Sequence, residues 1–325
     1  MGEPIGSPER ITTGLDMLQT AFTVDGRKLA YVKGRNIANV WRVPATTERA
    51  LTWADAQPVT FDQAWIEAFD LSPDGTRLAV QSDRSGNPDI WIAPSNGGEM
   101  QQFTHDSTPE WWPTWSQDGM TIAYYALRSG TRQIWIQGVG GGPAHQLTSA
   151  DAGAIFPRWS RDGRTIYFGN GAISAMPAAG GEPHVVIREP RGRIGAMEFA
   201  ISPDGGTFAF SSGAPPDRRL WRASSEGAGQ RPLTRGQASA PAWSRDGRWI
   251  YFTTSREAPD GAYQVERPGL NIWRVASSGG SERPVTNFVG KRGFLGPTIA
   301  TDDHWLYFTW RDDVADIGTM DVVRN

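Results

Sequence analysis

The sequence lacks cysteine and contains few histidines, and both features limit its chemistry. With no cysteine among 325 residues, disulfides, thiolate catalysis and cysteine-ligated zinc are excluded. The four histidines are scattered, and neither His-Glu-x-x-His nor His-x-His occurs among them. Spacings of that kind place neighbouring histidines around one metal ion. We therefore expect no metal site and no cofactor.

An excess of one charge and long apolar runs are also missing. The 32 basic and 35 acidic side chains leave a net charge of −3. Because non-specific nucleic-acid binding needs clustered Lys and Arg, we expect no DNA or RNA partner. No apolar run approaches the roughly 20 residues that span a bilayer. Residues 1–10 lack the apolar core of a signal peptide, so we expect neither membrane insertion nor a signal peptide in this chain.

A nucleophile elbow is missing as well. The pentapeptide Gly-x-Ser-x-Gly, which presents the serine of α/β-hydrolases, does not occur. We therefore expect no catalytic residues. Paired carboxylates from distant segments leave no mark in sequence spacing. A carbohydrate-active lyase or hydrolase with its site at a central channel stays open as an alternative.

Turn formers and large anchors are abundant, with 38 glycines, 23 prolines and 15 tryptophans. Asp-Gly pairs recur about every 46 residues, which is close to the length of a four-stranded propeller blade. They begin at Asp25, Asp74, Asp118, Asp162, Asp204 and Asp246, and Asp302-Asp303 stands at the seventh place. Glycine takes positive φ without a Cβ clash and aspartate accepts a local N–H, so these pairs predict tight turns.

Each predicted turn lies between strand-like segments. A large apolar residue stands three positions before each first Asp, and an apolar residue opens a β-rich run four positions after it. A third segment carries a tryptophan in five units, and a fourth ends in a Leu-Thr-like pair. The third-segment tryptophans are Trp41, Trp91, Trp135, Trp221 and Trp273. We expect them to pack between blades, in an all-β, seven-bladed β-propeller of four-stranded blades.

We predict a single domain over residues 1–325. The blades are expected at approximately 15–60, 61–104, 105–148, 149–188, 189–234, 235–286 and 287–323. The last unit stops after its third strand, whereas Arg-Ile-Thr-Thr at 10–13 resembles a fourth strand without a blade. We expect this N-terminal strand, at 9–13, to join the last blade and close the ring, because closure removes exposed strand edges.

Two motifs carry a family resemblance. Ser-Pro-Asp-Gly at 72–75 and 202–205, and Trp-Ser-Arg-Asp-Gly at 159–163 and 243–247, resemble repeats of the TolB-like, WD-repeat-like bacterial β-propeller family. The resemblance covers nearly the whole chain and implies the fold, but these motif residues are architectural. The family includes periplasmic TolB, which binds the peptidoglycan-associated lipoprotein. Seven units and the lack of a separate N-terminal domain are departures from TolB.

The resemblance implies a bacterial protein in the periplasm or another extracytoplasmic compartment. We expect a non-catalytic, monomeric binding module for a protein, peptide or cell-envelope ligand, either free or as the sensory or interaction domain of a larger protein. An inert spacer, with Trp111 and Trp112 both buried between blades, is a further alternative.

Binding is expected at the axial face, where loops run from the outer strand of one blade to the inner strand of the next around the channel. These loops mix aromatic and charged residues, as interface anchors do. The predicted binding residues are Trp65, Glu67, Glu110, Trp111, Trp112, Phe156, Arg191, Arg193, Glu198, Lys291 and Arg292. Asp70 and Arg158 also stand out, because their inner-strand register holds Ala or Thr in the other units.

Overall fold

Short β-strands and tight turns account for the secondary structure of the computed structural model. The structure describes residues 17–25, 27–45, 48–128, 130–149, 153–169, 171–188, 198–213, 217–255, 271–288, 290–291 and 293–321. These residues form six antiparallel sheets. They divide into two compact units, of which one contains the described residues up to Ile37 and from Asp312 onward, and the other runs from Ala38 to Arg311.

Five of the sheets are blades of four consecutive strands each, as the repeat predicts. Blade 1 contains β4 (Ile66–Leu71), β5 (Arg77–Ser82), β6 (Asp89–Pro94) and β7 (Gln101–Gln102). Blade 2 contains β8 (Glu110–Trp115), β9 (Thr121–Ala126), β10 (Gln133–Gly138) and β11 (His145–Gln146). Blade 3 contains β12 (Ile155–Trp159), β13 (Thr165–Gly169), β14 (Ala172–Pro177) and β15 (His184–Arg188). Blade 4 contains β16 (Phe199–Ile201), β17 (Thr207–Ser212), β18 (Arg219–Ser224) and β19 (Arg231–Pro232). Blade 5 contains β20 (Ser239–Trp243), β21 (Trp249–Thr254), β22 (Asn271–Ala276) and β23 (Arg283–Pro284).

The sixth sheet, blade 6, combines strands from both ends of the sequence. Its strands are β1 (Met17–Phe22), β2 (Lys28–Pro44), β3 (Gln57–Pro58), β24 (Phe294–Thr301) and β25 (Trp305–Asp321). They lie in the order β1-β2-β25-β24, and β3 pairs with β2. The all-β propeller is therefore confirmed, but the prediction of seven blades is wrong, because the structure has six.

The error arises from the first and last repeats. In blades 1 to 5 the second and third strands are separate strands that pair with each other, as Arg77–Ser82 and Asp89–Pro94 do. The matching segments at the chain ends run on as the single 17-residue strands β2 and β25. Each end therefore supplies part of a blade, and the two parts share one sheet. The predicted closing strand at 9–13 lies outside the described residues, and closure by it is not shown.

A recurring hydroxyl–carboxylate pair explains why the turns form where the repeat predicts. In blade 2, Ser116 Oγ donates a hydrogen bond to Asp118 Oδ1 at 2.5 Å and accepts one from the Thr121 N–H at 2.9 Å. Asp118 Oδ1 also accepts from the Met120 N–H at 2.9 Å. Gly119 then takes a φ of +68°, which costs little without a Cβ. One motif thus fixes the end of the first strand and the start of the second.

Apolar side chains fill the space between blades. Trp115 is 2% exposed and packs with Ile122 and Tyr124, and Trp159 packs in a larger cluster with Phe168 and Phe208. The first strands of the blades lie on the inside, where β20, β24, β4, β8 and β12 contact one another in that order and β16 contacts β20. They surround the channel whose side chains form the candidate site. Among the described residues, no helix has the length and apolarity to cross a membrane.

Candidate functional site

A cavity of about 300 Å³ opens where the inner strands begin. We call it the loop-side mouth, and its main lining side chains are Trp65, Glu67, Glu198, Arg218, Gln237, Ser239, Phe294 and Arg311. They come from the start of β4, β20 and β24, from the chain just before β16 and β18, and from β25. Blades 1, 4, 5 and 6 therefore contribute to one site on the face predicted to bind.

Aromatic side chains hold a cation at this mouth. The Arg311 guanidinium carbon lies 4.7 Å from the ring centroid of Phe294 and 5.4 Å from that of Trp65. Cation–π contacts of this kind favour a fixed orientation of the guanidinium. The backbone N–H of Trp65 donates a hydrogen bond to Asp83 Oδ1 at 2.7 Å, which anchors the backbone beneath the ring. The three residues form a rigid aromatic and cationic wall.

Two carboxylates line the same cavity. Glu67 Oε2 accepts a hydrogen bond from Gln81 Nε2 at 3.1 Å, and Glu198 Oε2 accepts one from the Ala240 N–H at 2.8 Å. Burial raises the pKa of Glu198, against the opposing effects of the Ala240 hydrogen bond and the nearby Arg218 and Arg158 charges. The loop-side mouth therefore presents acidic, basic and aromatic groups that are held by the scaffold.

Irregular inner strands shape the channel below the mouth. Trp112, Phe156 and Ala240 have positive φ values of 56°, 54° and 51°, and the pairing register shifts at each of these places. A bulge of this kind redirects backbone N–H groups from the sheet. The Ala240 N–H thereby reaches Glu198, and the Trp112 N–H reaches Gln81 Oε1 at 3.4 Å. Backbone strain of this type concentrates at functional sites.

A constriction connects the mouth with a wider opening at the other end of the inner strands. It encloses about 20 Å³, is lined in part by Trp112, Phe156, Arg158 and Glu198, and shares Glu198 with the loop-side mouth. It shares Arg158 with the wider opening, whose volume is about 790 Å³. We call this opening the turn-side funnel, because the ends of the inner strands and the Ser-x-Asp-Gly turns line it.

Asp70 and Arg158 both line the turn-side funnel, so the charges at the unusual register face the channel. Asp70 Oδ2 accepts hydrogen bonds from the backbone N–H of Trp115 at 2.8 Å and from Thr114 Oγ1 at 3.0 Å. Burial raises the pKa of Asp70, with the Arg158 charge opposing that shift. Burial lowers the pKa of Arg158, and the charges of Asp70 and Glu198 oppose this.

The structure brings together some of the predicted binding residues and separates others. Trp65, Glu67 and Glu198 line the loop-side mouth, and Trp112 and Phe156 form part of the constriction with ring centroids 4.4 Å apart. Both of these rings are 8% exposed.

The remaining predicted residues lie elsewhere or outside the described chain. Trp111 stacks on Tyr125 at 5.4 Å, and Glu110 is fully buried with Oε1 2.7 Å from Arg128. Lys291 Nζ lies 4.9 Å from the ring of Trp53. Arg191, Arg193 and Arg292 fall outside the described residues.

Two lining residues of the loop-side mouth, Arg218 and Arg311, were not predicted from the sequence. A register signal existed for Arg311, because the equivalent positions of the other blades hold no basic residue. Those positions are Asp83, Leu127, Gly171, Gly213 and Ser255. The signal was hidden because β25 belongs to the repeat whose boundaries were predicted wrongly.

A metal-dependent site finds no support in the part of the chain that the structure describes. No group of three or more His, Cys, Asp or Glu side chains there could hold a metal ion. The histidines lie in separate places, with His145 and His184 on the outer strands β11 and β15. The loop-side mouth is lined by aromatic and charged groups.

Comparisons with known proteins agree with the repeat and the fold. Residues 9–184 match the TolB beta propeller domain, which is more than half of the chain. Protein Atu1656 of Agrobacterium fabrum is 26% identical over 153 residues, which are 46% of this chain and 47% of that protein. The chain spans less than half of the length of the curated relatives it matches.

Two solved structures share the fold. A protein assigned as TolB from Agrobacterium tumefaciens superposes with a TM-score of 0.67 at 17% identity, covering 86% of this chain and 99% of that one. TolB from Acinetobacter baumannii gives 0.58 at 14% identity, covering 86% of this chain and 64% of that one. At these identities the structures show the fold alone. The match over residues 9–184, together with the recurring turns and the six blades, places this chain in the TolB beta-propeller domain family.

Proposed function

We propose that this protein is a non-catalytic interaction module whose loop-side mouth binds an extended segment of a protein or peptide. The observation that carries the proposal is the wall in which Arg311 lies between Trp65 and Phe294, next to Glu67 and Glu198 in one cavity. Aromatic and arginine side chains dominate the binding energy of protein interfaces. A TolB-type propeller scaffold supports this role, because its strands hold the mouth rigid.

The volume and charge of the mouth indicate the kind of segment that fits. A cavity of about 300 Å³ accepts a few side chains and leaves the rest of a partner outside. Two glutamates and two arginines balance each other, so the partner segment needs no large net charge. An apolar or aromatic residue against Trp65 and Phe294, flanked by polar residues, matches this lining. Such a partner can belong to the cell envelope or to a larger protein that contains this chain.

The lyase or hydrolase alternative is not carried forward. It requires acids, histidines and arginines that converge around one reacting centre. The two carboxylates of the loop-side mouth are instead engaged by Gln81 and by the Ala240 N–H, in a pocket walled by aromatic rings. An arrangement of this kind favours recognition of a partner.

A peptide selection tests the proposal. Peptides selected from a displayed random library on the immobilised chain are synthesised, and their affinities are measured by isothermal titration calorimetry. We expect Trp65→Ala and Phe294→Ala to weaken binding at least tenfold, since truncating an aromatic anchor costs about 2 kcal/mol or more. Val185→Ala serves as the control, because Val185 is an exposed apolar residue on the outer strand β15.

Binding that survives both substitutions would contradict the proposal. If the selected peptides bind Trp65→Ala and Phe294→Ala as tightly as the unchanged chain, the loop-side mouth is not the binding site. Glu198→Gln adds a polar test, because the amide keeps an acceptor for the Ala240 N–H but removes the charge. Circular dichroism melting of every variant shows whether a loss of affinity reflects a loss of fold.

A further inference from the structure

The turn-side funnel has a different character from the loop-side mouth. Each of blades 1 to 5 contributes to it the residue between the Ser and the Asp of its turn. These residues are Pro73, Gln117, Arg161, Pro203 and Arg245. Two of them are arginines, and Arg158 lies deeper, where the funnel meets the constriction. Asp70 is the acidic side chain of this lining, so three cations face one anion.

Arg158 is the central feature of the funnel. Its Nη1 donates a hydrogen bond to the Pro157 carbonyl at 3.1 Å. No carboxylate of the described residues lies within 4 Å of its guanidinium, although Asp70 and Glu198 are close enough to act on its charge. A guanidinium carries five N–H donors in a planar fork, and the bond to the Pro157 carbonyl uses one of the donors of Arg158. An arginine at this depth normally has an ion-pair partner, because an unpaired charge away from bulk water is costly.

The two rim arginines differ in how they are held. The Arg245 guanidinium donates to the carbonyls of Thr301 and Ser72, each at 3.3 Å, which fixes it across the edge of the funnel. The Arg161 guanidinium makes no hydrogen bond or ion pair with any described residue and is exposed. The funnel thus combines one fixed cation and one free cation at its rim with a third at its base.

The neighbouring carboxylates are already engaged. Asp70 Oδ2 accepts hydrogen bonds from the backbone N–H of Trp115 and from the Thr114 hydroxyl, so it is held against β8 of the neighbouring blade 2. Asp302 accepts from the His304 and Trp305 N–H groups and from the Tyr307 hydroxyl. Asp303 accepts from the Arg245 N–H. Asp302 and Asp303 do not line the funnel, so neither carboxylate occupies the place of an anionic ligand beside Arg158 or Arg161.

These observations indicate the ligand class. Guanidinium groups bind planar or tetrahedral oxyanions through paired N–H donors, which gives both affinity and geometry. The arginines stand at two depths in a volume of about 790 Å³, which accommodates a small molecule with several acidic groups. We infer that the turn-side funnel is a second binding site, which takes a small multivalent oxyanion with one carboxylate or phosphate on Arg158 and another on a rim arginine, Arg161 or Arg245.

Calorimetric titration of the purified chain tests this site. Citrate is the carboxylate probe and inorganic pyrophosphate the phosphate probe, both at constant ionic strength set with sodium chloride. We expect one saturable site for at least one probe, and the tighter of the two identifies the acid group that the site prefers. Arg158→Gln is expected to weaken binding tenfold or more, and Arg161→Gln severalfold, because each removes charge-assisted hydrogen bonds.

Two control variants test whether anion binding depends on the funnel itself. Arg164→Gln removes an exposed arginine from the same turn as Arg161 but outside the funnel, so it should leave binding unchanged. Trp65→Ala at the opposite mouth should also leave anion binding unchanged, which separates this site from the proposed peptide site. If Arg158→Gln does not fold, Arg161→Gln and Arg158→Lys decide. The absence of saturable binding, or equal weakening by Arg164→Gln and Arg161→Gln, overturns the inference.

Discussion

Glu110 is a buried carboxyl group that shares Arg128 with Asp106. Its Oε1 lies 2.7 Å from Arg128 Nη2, and Asp106 Oδ2 lies 2.5 Å from the same nitrogen. Tyr124 also faces this group, with its hydroxyl 3.4 Å from Arg128. Burial raises the pKa of Glu110 to about 7, although hydrogen bonds from Thr104 and Arg128 act in the opposite direction. Glu110 therefore changes its charge within the folded protein near neutral pH.

The raised pKa of Glu110 makes the folded protein less stable as pH rises. The folded state holds the proton of Glu110 more tightly than the unfolded chain, so its contribution is full below pH 4.5 and is lost as pH rises through about 7. We expect this part of the free energy of unfolding to fall by on the order of 2 kcal/mol between pH 5 and 8. Glu110→Gln should abolish that fall, as measured by urea denaturation at several pH values. The exposed control Glu99→Gln should retain it, and an equal slope in both variants would contradict the assignment.

At the scale of elements, β24 approaches β25 more closely than a side chain permits. A Cβ on Gly293 would lie 2.3 Å from the Arg311 carbonyl oxygen, and one on Gly296 would lie 1.9 Å from Thr309 Oγ1. Gly293 also has a φ of +121°. Both glycines precede or belong to the strand that carries Phe294, so their backbone positions set the distance between Phe294 and Arg311.

Gly293→Ala should therefore destabilise the fold and weaken ligand binding at the loop-side mouth. Gly280 provides a matched control, since it has the same φ of +121° but no atom within 4 Å of an added Cβ. Gly280→Ala measures the cost of placing a side chain at this backbone conformation, about 1 to 3 kcal/mol. We expect Gly293→Ala to cost at least about 1 to 3 kcal/mol more, as overpacking does. If Gly293→Ala and Gly280→Ala lose the same stability in thermal denaturation, β24 accommodates the added methyl group without strain.

Strands β2 and β25 show how far the sequence predicts the elements. Turn motifs and alternating apolar residues predicted the propeller and its four-stranded blades, because each motif is local and recurs. The hairpin expected after Leu29 does not exist, since β2 continues to Pro44. Whether a strand turns or continues depends on the partner beside it. Here β2 lies next to β25, almost the whole sequence away, and no local pattern contains that pairing.

At the scale of the whole molecule, the candidate site was predicted only in part for a related reason. Trp65, Glu67 and Glu198 were identified because loops around a channel are visible in a repeat. Their neighbours Arg218 and Arg311 come from other blades, Arg218 from the chain just before β18 and Arg311 from β25, so only the assembled ring brings them together. Glu110 lies in a segment whose aromatic and charged composition is typical of a binding loop, but its side chain contacts Arg128. Local sequence does not specify which way a side chain at a strand edge points.

The repetition of one turn also gives the molecule a collective response to acid. The hydroxyl donates to the aspartate in six turns, and this hydrogen bond is the largest cause that lowers the pKa of each carboxyl. The pairs are Thr23–Asp25, Ser72–Asp74, Ser116–Asp118, Ser160–Asp162, Ser202–Asp204 and Ser244–Asp246. For Asp74 and Asp246 the pKa falls to about 2. Stability from these groups is present above the unfolded value of 3.8 and is lost as pH falls through the folded pKa.

We therefore expect the free energy of unfolding to drop steeply between about pH 4 and pH 2. The triple variant Asp118→Asn, Asp162→Asn, Asp204→Asn should start less stable at neutral pH, because each amide is a weaker acceptor for the turn. It should also lose less between pH 4 and pH 2. The control Glu99→Gln, Glu182→Gln, Glu226→Gln removes as many carboxylates from exposed positions and should keep the steep drop. Urea denaturation between pH 4 and pH 2 compares the two triple variants. If the asparagine variant loses as much free energy of unfolding over this range as the unchanged chain, the turns do not govern acid unfolding.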